Sequence, residues 1–182
     1  MHCPTESRPS WRAKLAALAL PLLAAVLPAQ GRPPTLPAGS EALQVPAGNV
    51  VTFHTYAIGV QIYRCDPATL QWTLAYPYAQ LYADPGYNGW VGFHTGGPTW
   101  WSAGSMVAGE RLAQATVDPT AIPWLLLRAT GTEGQGPFAA TTYIQRVNTI
   151  GGRAPAHVGN PGQIVMIPYA AEYWFYRAAT QP

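Results

Sequence analysis

Tyr56-Ala57-Ile58-Gly59-Val60-Gln61-Ile62-Tyr63 repeats with a period of two. Tyr56, Ile58, Val60 and Ile62 fall on one side, and Ala57, Gly59, Gln61 and Tyr63 on the other. Successive side chains of a strand point to opposite faces, so this spacing predicts a β-strand. The period returns in Trp72, Leu74, Tyr76 and Tyr78, after the Asp66-Pro67 turn. Asp84-Pro85-Gly86-Tyr87-Asn88-Gly89 is a dense turn signal and leads into Trp90-Val91-Gly92-Phe93-His94-Thr95. Residues 106–117 come next, of which 109–115 are the least regular and could turn once or twice. Residues 124–129, apolar but for Arg128, predict a strand buried on both faces. Residues 131–137, rich in glycine, read as a loop. In residues 141–150, Tyr143, Gln145 and Val147 alternate with Ile144, Arg146 and Asn148. Residues 164–167 and 172–177 close the series. Short strands with Gly and Pro punctuation and no helical period predict an all-β domain over 44–182. Its expected form is a single antiparallel β-sandwich or barrel with long loops.

The first thirty-one residues have a different character. Arg8, Arg12 and Lys14 precede an uncharged apolar run from Leu15 to Leu27, and Ala29-Gln30-Gly31 supplies small residues in a small-x-small pattern. A membrane-spanning helix needs about 20 apolar residues, so this run has the length of a signal-peptide core. Residues 1–31 are therefore expected to be a cleavable signal peptide, and the mature protein to be secreted or periplasmic. Residues 32–43, beginning Arg32-Pro33-Pro34-Thr35-Leu36-Pro37, read as a Pro-rich tether with nothing to pack.

Removing the leader changes the chain's charge. Ten Lys and Arg lose three and eight Asp and Glu lose one, which leaves seven of each sign, and every remaining base is Arg. A neutral chain lacks the clustered positive charge that nucleic acid demands, so no nucleic-acid partner is expected. The mature chain also holds no further apolar run long enough for an integral membrane span. Cys65 is left alone, since Cys3 departs with the leader.

No sequence motif sets up a familiar reaction. Gly131-x-x-Gly134-x-Gly136 is not a dinucleotide fingerprint, and no GxSxG, HExxH or P-loop pattern occurs. No cofactor is expected. The candidate ligand residues are His94, Trp100, Trp101 and Arg146. A His before a Gly-Gly-Pro turn and beside two Trp can hold a ligand or take a proton. Adjacent Trp faces can stack on a sugar ring or a flat apolar group. Arg146 can clamp a carboxylate or phosphate, or can serve structure alone by pairing with an acid such as Glu110 or Glu172. A metal would have to be built on His54 and His94, which spacing alone leaves short of ligands. His157, in a Gly/Pro loop, is expected in solvent.

Several blocks also carry a resemblance. Val45-Pro46-Ala47-Gly48-Asn49 and the Tyr56 to Cys65 stretch come first. His94-x-x-Gly97-Pro98-x-Trp100, Ile122-Pro123-Trp124-Leu125-Leu126-Leu127 and Tyr143-Ile144-Gln145-Arg146-Val147-Asn148-Thr149-Ile150-Gly151-Gly152 follow. Val165-Met166-Ile167-Pro168-Tyr169-x-Ala171-Glu172-Tyr173-Trp174-Phe175-Tyr176-Arg177 ends the set. In this order they resemble the DUF3455 family of secreted, functionally uncharacterised proteins. The resemblance implies a second cysteine shortly after the Gly-Gly-x-Ala-Pro block, and 154–163 holds none. It also implies an acidic residue after Trp100, where this chain has Trp101 and Ser102. The expected function is a non-catalytic binding or cell-surface interaction module for a small molecule or glycan. The alternative is a small secreted enzyme with His94 as general base and Arg146 as anion clamp.

Overall fold

The computed structural model describes residues 31–180; the expected signal peptide lies, but for Gly31, outside the described residues. Eight strands follow one another: β1 (Asn49–Cys65), β2 (Trp72–Tyr82), β3 (Trp90–Thr95), β4 (Thr99–Ser102), β5 (Ser105–Ala115), β6 (Trp124–Gly134), β7 (Tyr143–Gly151) and β8 (Ile164–Ala178). Each pairs antiparallel with the next, and β8 returns to β1, so the sheet closes into a barrel. Of the two expected architectures, the barrel is the one formed. Closure removes sheet edges, and eight strands enclose an interior that side chains either fill or share with one small ligand.

Alternation along β1 decides what faces inward. The interior receives Thr55, Ala57 and Gln61, all essentially unexposed, while Tyr56 and Ile58 point outward. At Gly59 the neighbouring strand β2 leaves no room for a side chain. A Cβ at Gly59 would lie 2.1 Å from the Tyr78 carbonyl oxygen, so only glycine fits. The interior then fills with aromatics contributed by distant strands. Phe138 meets Phe53 at 5.7 Å and Phe175 at 4.5 Å between ring centroids, and Phe175 meets Trp100 at 6.0 Å. Trp100 in turn contacts Tyr173 at 5.4 Å. This column packs one end of the barrel and stops short of the other.

A second cluster lies on the outer face. Leu43, Val45, Val51, Trp124, Leu126, Val147 and Tyr176 are buried together, with Leu36 packed against them. The residues before β1 cover this face, pinned by a hydrogen bond from Gln145 Nε2 to the Leu43 carbonyl at 2.7 Å. That corrects the tether expectation: Leu36 and Leu43 of residues 32–43 are packed, and Leu43 is fully buried within the 3-10 turn Glu41–Leu43. The same cover explains the apolar run 124–127. Leu127 faces the interior and Leu126 the outer cluster, so consecutive leucines are buried on opposite sides of one strand.

Two local expectations also change. Residues 109–115 do not turn; they belong to β5, which absorbs bulges at Ala108/Gly109 and Arg111/Ala113. Residues 131–134 are not loop but the end of β6, with Glu133 opposite Met106 and Gly134 opposite Ser105. The alternation predicted for 143–147 holds, and Asn148 breaks it with φ of 50° at the irregularity between Val147 and Ile150.

Candidate functional site

The barrel end left open by the aromatic column contains a cavity of about 490 Å³. Its lining includes Gln61 and Tyr63 of β1, the β3–β4 turn at Gly96–Pro98, Ile122 and Pro123 before β6, and Tyr173 of β8. His94, Trp100 and Arg146 line it too. Three of the four sequence-predicted ligand residues thus meet in one space.

The fourth does not. Trp100 is 1 % exposed and Trp101 is 41 % exposed, because neighbours on a strand face opposite ways. Trp101 stacks on Phe93 at 6.1 Å outside the barrel, beside Trp90. The expected double-tryptophan platform is therefore split by the barrel wall.

His94 forms part of the cavity floor. Its ring lies parallel to Trp100 at 4.5 Å, and Nδ1 donates to the Thr99 carbonyl at 2.8 Å. That bond leaves Nε2 as the unprotonated, accepting nitrogen. Burial lowers the His94 pKa to about 3; the Arg146 charge works in the same direction and the Thr99 hydrogen bond opposes them. The ring is neutral at any physiological pH.

His54 is on the other side of the wall. Its Nε2 pairs with Glu172 Oε2 at 2.9 Å and its ring stacks on Trp174 at 3.6 Å. Tyr173 and Phe175 face inward, so Glu172 and Trp174, which alternate with them, face outward. His54 and His94 therefore cannot share a metal. Among the described residues no group of three His, Cys, Asp or Glu is placed to hold one. The hydrogen bond from His54 holds the Glu172 carboxyl below its ordinary range, with Asn148 Nδ2 adding to the effect from 2.8 Å and burial working against it.

Arg146 carries the chemistry that sequence reasoning left open. Neither acid considered as its partner is available: Glu110 accepts from Arg128, and Glu172 from His54 and Asn148, in both cases on the outer face. Arg146 instead turns inward and donates through Nε and Nη2 to the Pro123 carbonyl, at 3.2 and 2.8 Å. No Asp or Glu of the described residues lines the cavity. Its charge reaches the buried Tyr63, His94, Tyr169 and Tyr173, and it opposes the upward push of burial on each tyrosine hydroxyl. The result is a half-buried cation facing an open space, with only neutral oxygens, the Pro123 carbonyl and the Tyr173 hydroxyl, beside it among the described residues. Gln61 adds a fully buried amide whose Nε2 has no protein partner, a feature the sequence did not flag. Arg111 also borders the cavity, tied to Gln114 Oε1 at 2.9 Å.

Among the described residues Cys65 has no disulfide partner, and it is fully buried. It lies beneath the loop preceding β8, where a Cβ on Gly159 would come within 2.9 Å of its Sγ. His157 is exposed as expected, and its carbonyl accepts from Trp72 Nε1 at 2.8 Å. No helix of the described residues is long and apolar enough to cross a membrane.

No curated protein and no solved structure matches this chain. A family model described as "Protein of unknown function (DUF3455)" matches residues 83–177, more than half of the chain. The match begins just ahead of β3 and ends within β8, so it contains His94, Trp100 and Arg146 together with most of the barrel wall that positions them. The blocks around 94–100, 122–127, 143–152 and 165–177 all fall inside it. The chain belongs to the DUF3455 family.

Proposed function

We propose that this protein is an exported, non-catalytic binding barrel that takes one small organic anion, such as a carboxylate, into the open end of its interior. The observation that carries the reading is Arg146, a guanidinium facing the cavity with a carbonyl but no carboxylate as partner. A charge withdrawn from water is costly unless compensated, so a site of this kind favours an incoming anion. Trp100 and Tyr173, with Leu125 and Leu127, give the ligand's body an apolar and aromatic surface. His94, neutral and accepting at Nε2, suits a ligand hydroxyl. Export rests on the leader sequence and gives the barrel its place of work.

One observation favours the enzyme alternative: His94 and Arg146 share the cavity. The acid–base chemistry weighs against it. A general base works best with a pKa near the operating pH. Protonating a group of pKa about 3 at pH 7 costs roughly 5 kcal/mol, at about 1.4 kcal/mol per unit. The binding reading needs no such step.

The test is a tryptophan-fluorescence titration of the mature chain with hexanoate and with benzoate. Saturable binding is expected in wild type, weakened at least about 10-fold in Arg146→Gln, as befits loss of a charge-assisted pair. A wild type with no saturable response to either acid, or a variant that binds equally well, would overturn the reading.

A further inference from the structure

A second cavity of about 250 Å³ adjoins the first. The two share Tyr63, Ile122 and Pro123, so one ring and one Ile-Pro pair stand between them. On the far side stands Arg153, whose Nη1 donates to the Pro119 carbonyl. Pro119 and Pro123 belong to the same loop between β5 and β6, so Arg146 and Arg153 anchor on one short segment. Arg153, like Arg146, has no carboxylate partner among the described residues, and no Asp or Glu lines either cavity. Both guanidinium charges act on the Tyr63 hydroxyl, which itself donates to the Gly152 carbonyl at 2.7 Å. Two cations thus flank one aromatic ring, with no acid of the described residues lining either cavity.

We propose that the ligand is a dianion: one carboxylate sits on Arg146 inside the barrel and the other on Arg153 in the adjoining cavity, with the connecting carbons laid over Tyr63 and Pro123. This rests on the proposed anion-binding role of Arg146 and names the ligand class of that site. Arg146 supplies affinity for any small carboxylate. Arg153 supplies the preference for a second negative group at the right separation. Because Arg153 is exposed, its contribution is screened by salt more strongly than that of Arg146.

The experiment is isothermal titration of the mature chain with hexanoate, adipate and suberate, at low and at 0.5 M NaCl. Wild type, Arg146→Gln, Arg153→Gln and Arg111→Gln are compared, each checked for an unchanged far-ultraviolet circular dichroism spectrum. Wild type is expected to bind one of the diacids at least about 10-fold more tightly than hexanoate, with that preference shrinking in salt. Arg153→Gln should abolish the preference while leaving hexanoate affinity within about twofold, and Arg146→Gln should weaken all three acids. A wild type that does not distinguish diacid from monoacid overturns the inference and leaves the role of Arg146 standing. The inference falls equally if Arg153→Gln keeps the preference, or if Arg111→Gln is the variant that removes it. Failure of all three acids to bind wild type overturns both readings.

Discussion

Arg146→Met should make the empty barrel more stable while removing its capacity to bind. The guanidinium has given up part of its hydration for two N–H bonds to a single carbonyl. Hydrogen bonds from a charged donor contribute about 1.5–3 kcal/mol, whereas withdrawing an uncompensated ion costs several kcal/mol even after relaxation. Methionine matches the apolar stem of Arg and suits the neighbouring Leu125, Leu127 and Trp100. Against this stands the Pro123 carbonyl, left without a donor at a cost of about 1 kcal/mol or more. The expected net effect is a gain of about 1 kcal/mol, near 3 °C in Tm for a chain of this size. A ligand at 100 times its Kd stabilises wild type by about 2.7 kcal/mol. The rank order should therefore invert: the variant melts higher without ligand, and wild type melts higher with carboxylate present at about 100 times the wild-type Kd. Differential scanning calorimetry with and without the anion reads both halves. A loss of more than about 2 kcal/mol in the empty variant would refute the reasoning, because it would mean that Arg146 is held by the protein and is not waiting for a ligand.

Three further outcomes follow from the same geometry. Trp100→Ala should cost about 3–5 kcal/mol in urea denaturation followed by circular dichroism, and Trp101→Ala about 1 kcal/mol or less, since one ring is inside the wall and the other outside; equal costs would contradict the barrel's alternation. His94 is held to a pKa of about 3 in the folded barrel against an ordinary 6.5. The unfolded chain thus binds the extra proton between those values, and stability should fall by about 1.4 kcal/mol per pH unit below 6.5 while staying flat above it. In His94→Gln that slope should be largely lost, as urea midpoints measured from pH 7 to 4 would show. Gly159→Ala should cost about 1–3 kcal/mol in urea denaturation, because its Cβ would come within 2.9 Å of Cys65 Cβ and Sγ and 2.6 Å of the Trp72 ring; an unchanged midpoint would show that the loop does not cover Cys65.

The strand period on β1 and β7 was legible because alternation is a local property. Which face turns inward was not. The side of β1 with the bulkier Tyr56 and Ile58 points outward, and the smaller Ala57 and Gly59 point in, where the neighbouring strand leaves no room for a Cβ at Gly59 beside Tyr78 and Ala79. His94, Trp100 and Arg146 stood out as residue types, yet their convergence depends on closing β1 onto β8, a pairing of residues more than a hundred positions apart. The same closure brings Glu172 to His54 and so takes it from Arg146. Arg153 gave no signal at all in the sequence, since its importance comes only from the loop it shares with Arg146.

The central claim places the anion inside the barrel, against Trp100 and away from Trp101. An ¹H–¹⁵N correlation spectrum of the mature chain, followed through a hexanoate titration, separates the two by their indole N–H signals. The Trp100 signal should shift progressively and saturate, and it should not move in Arg146→Met, while the Trp101 signal stays in place throughout. A saturating shift at Trp101 with Trp100 unmoved would place the ligand on the outer face and contradict the account.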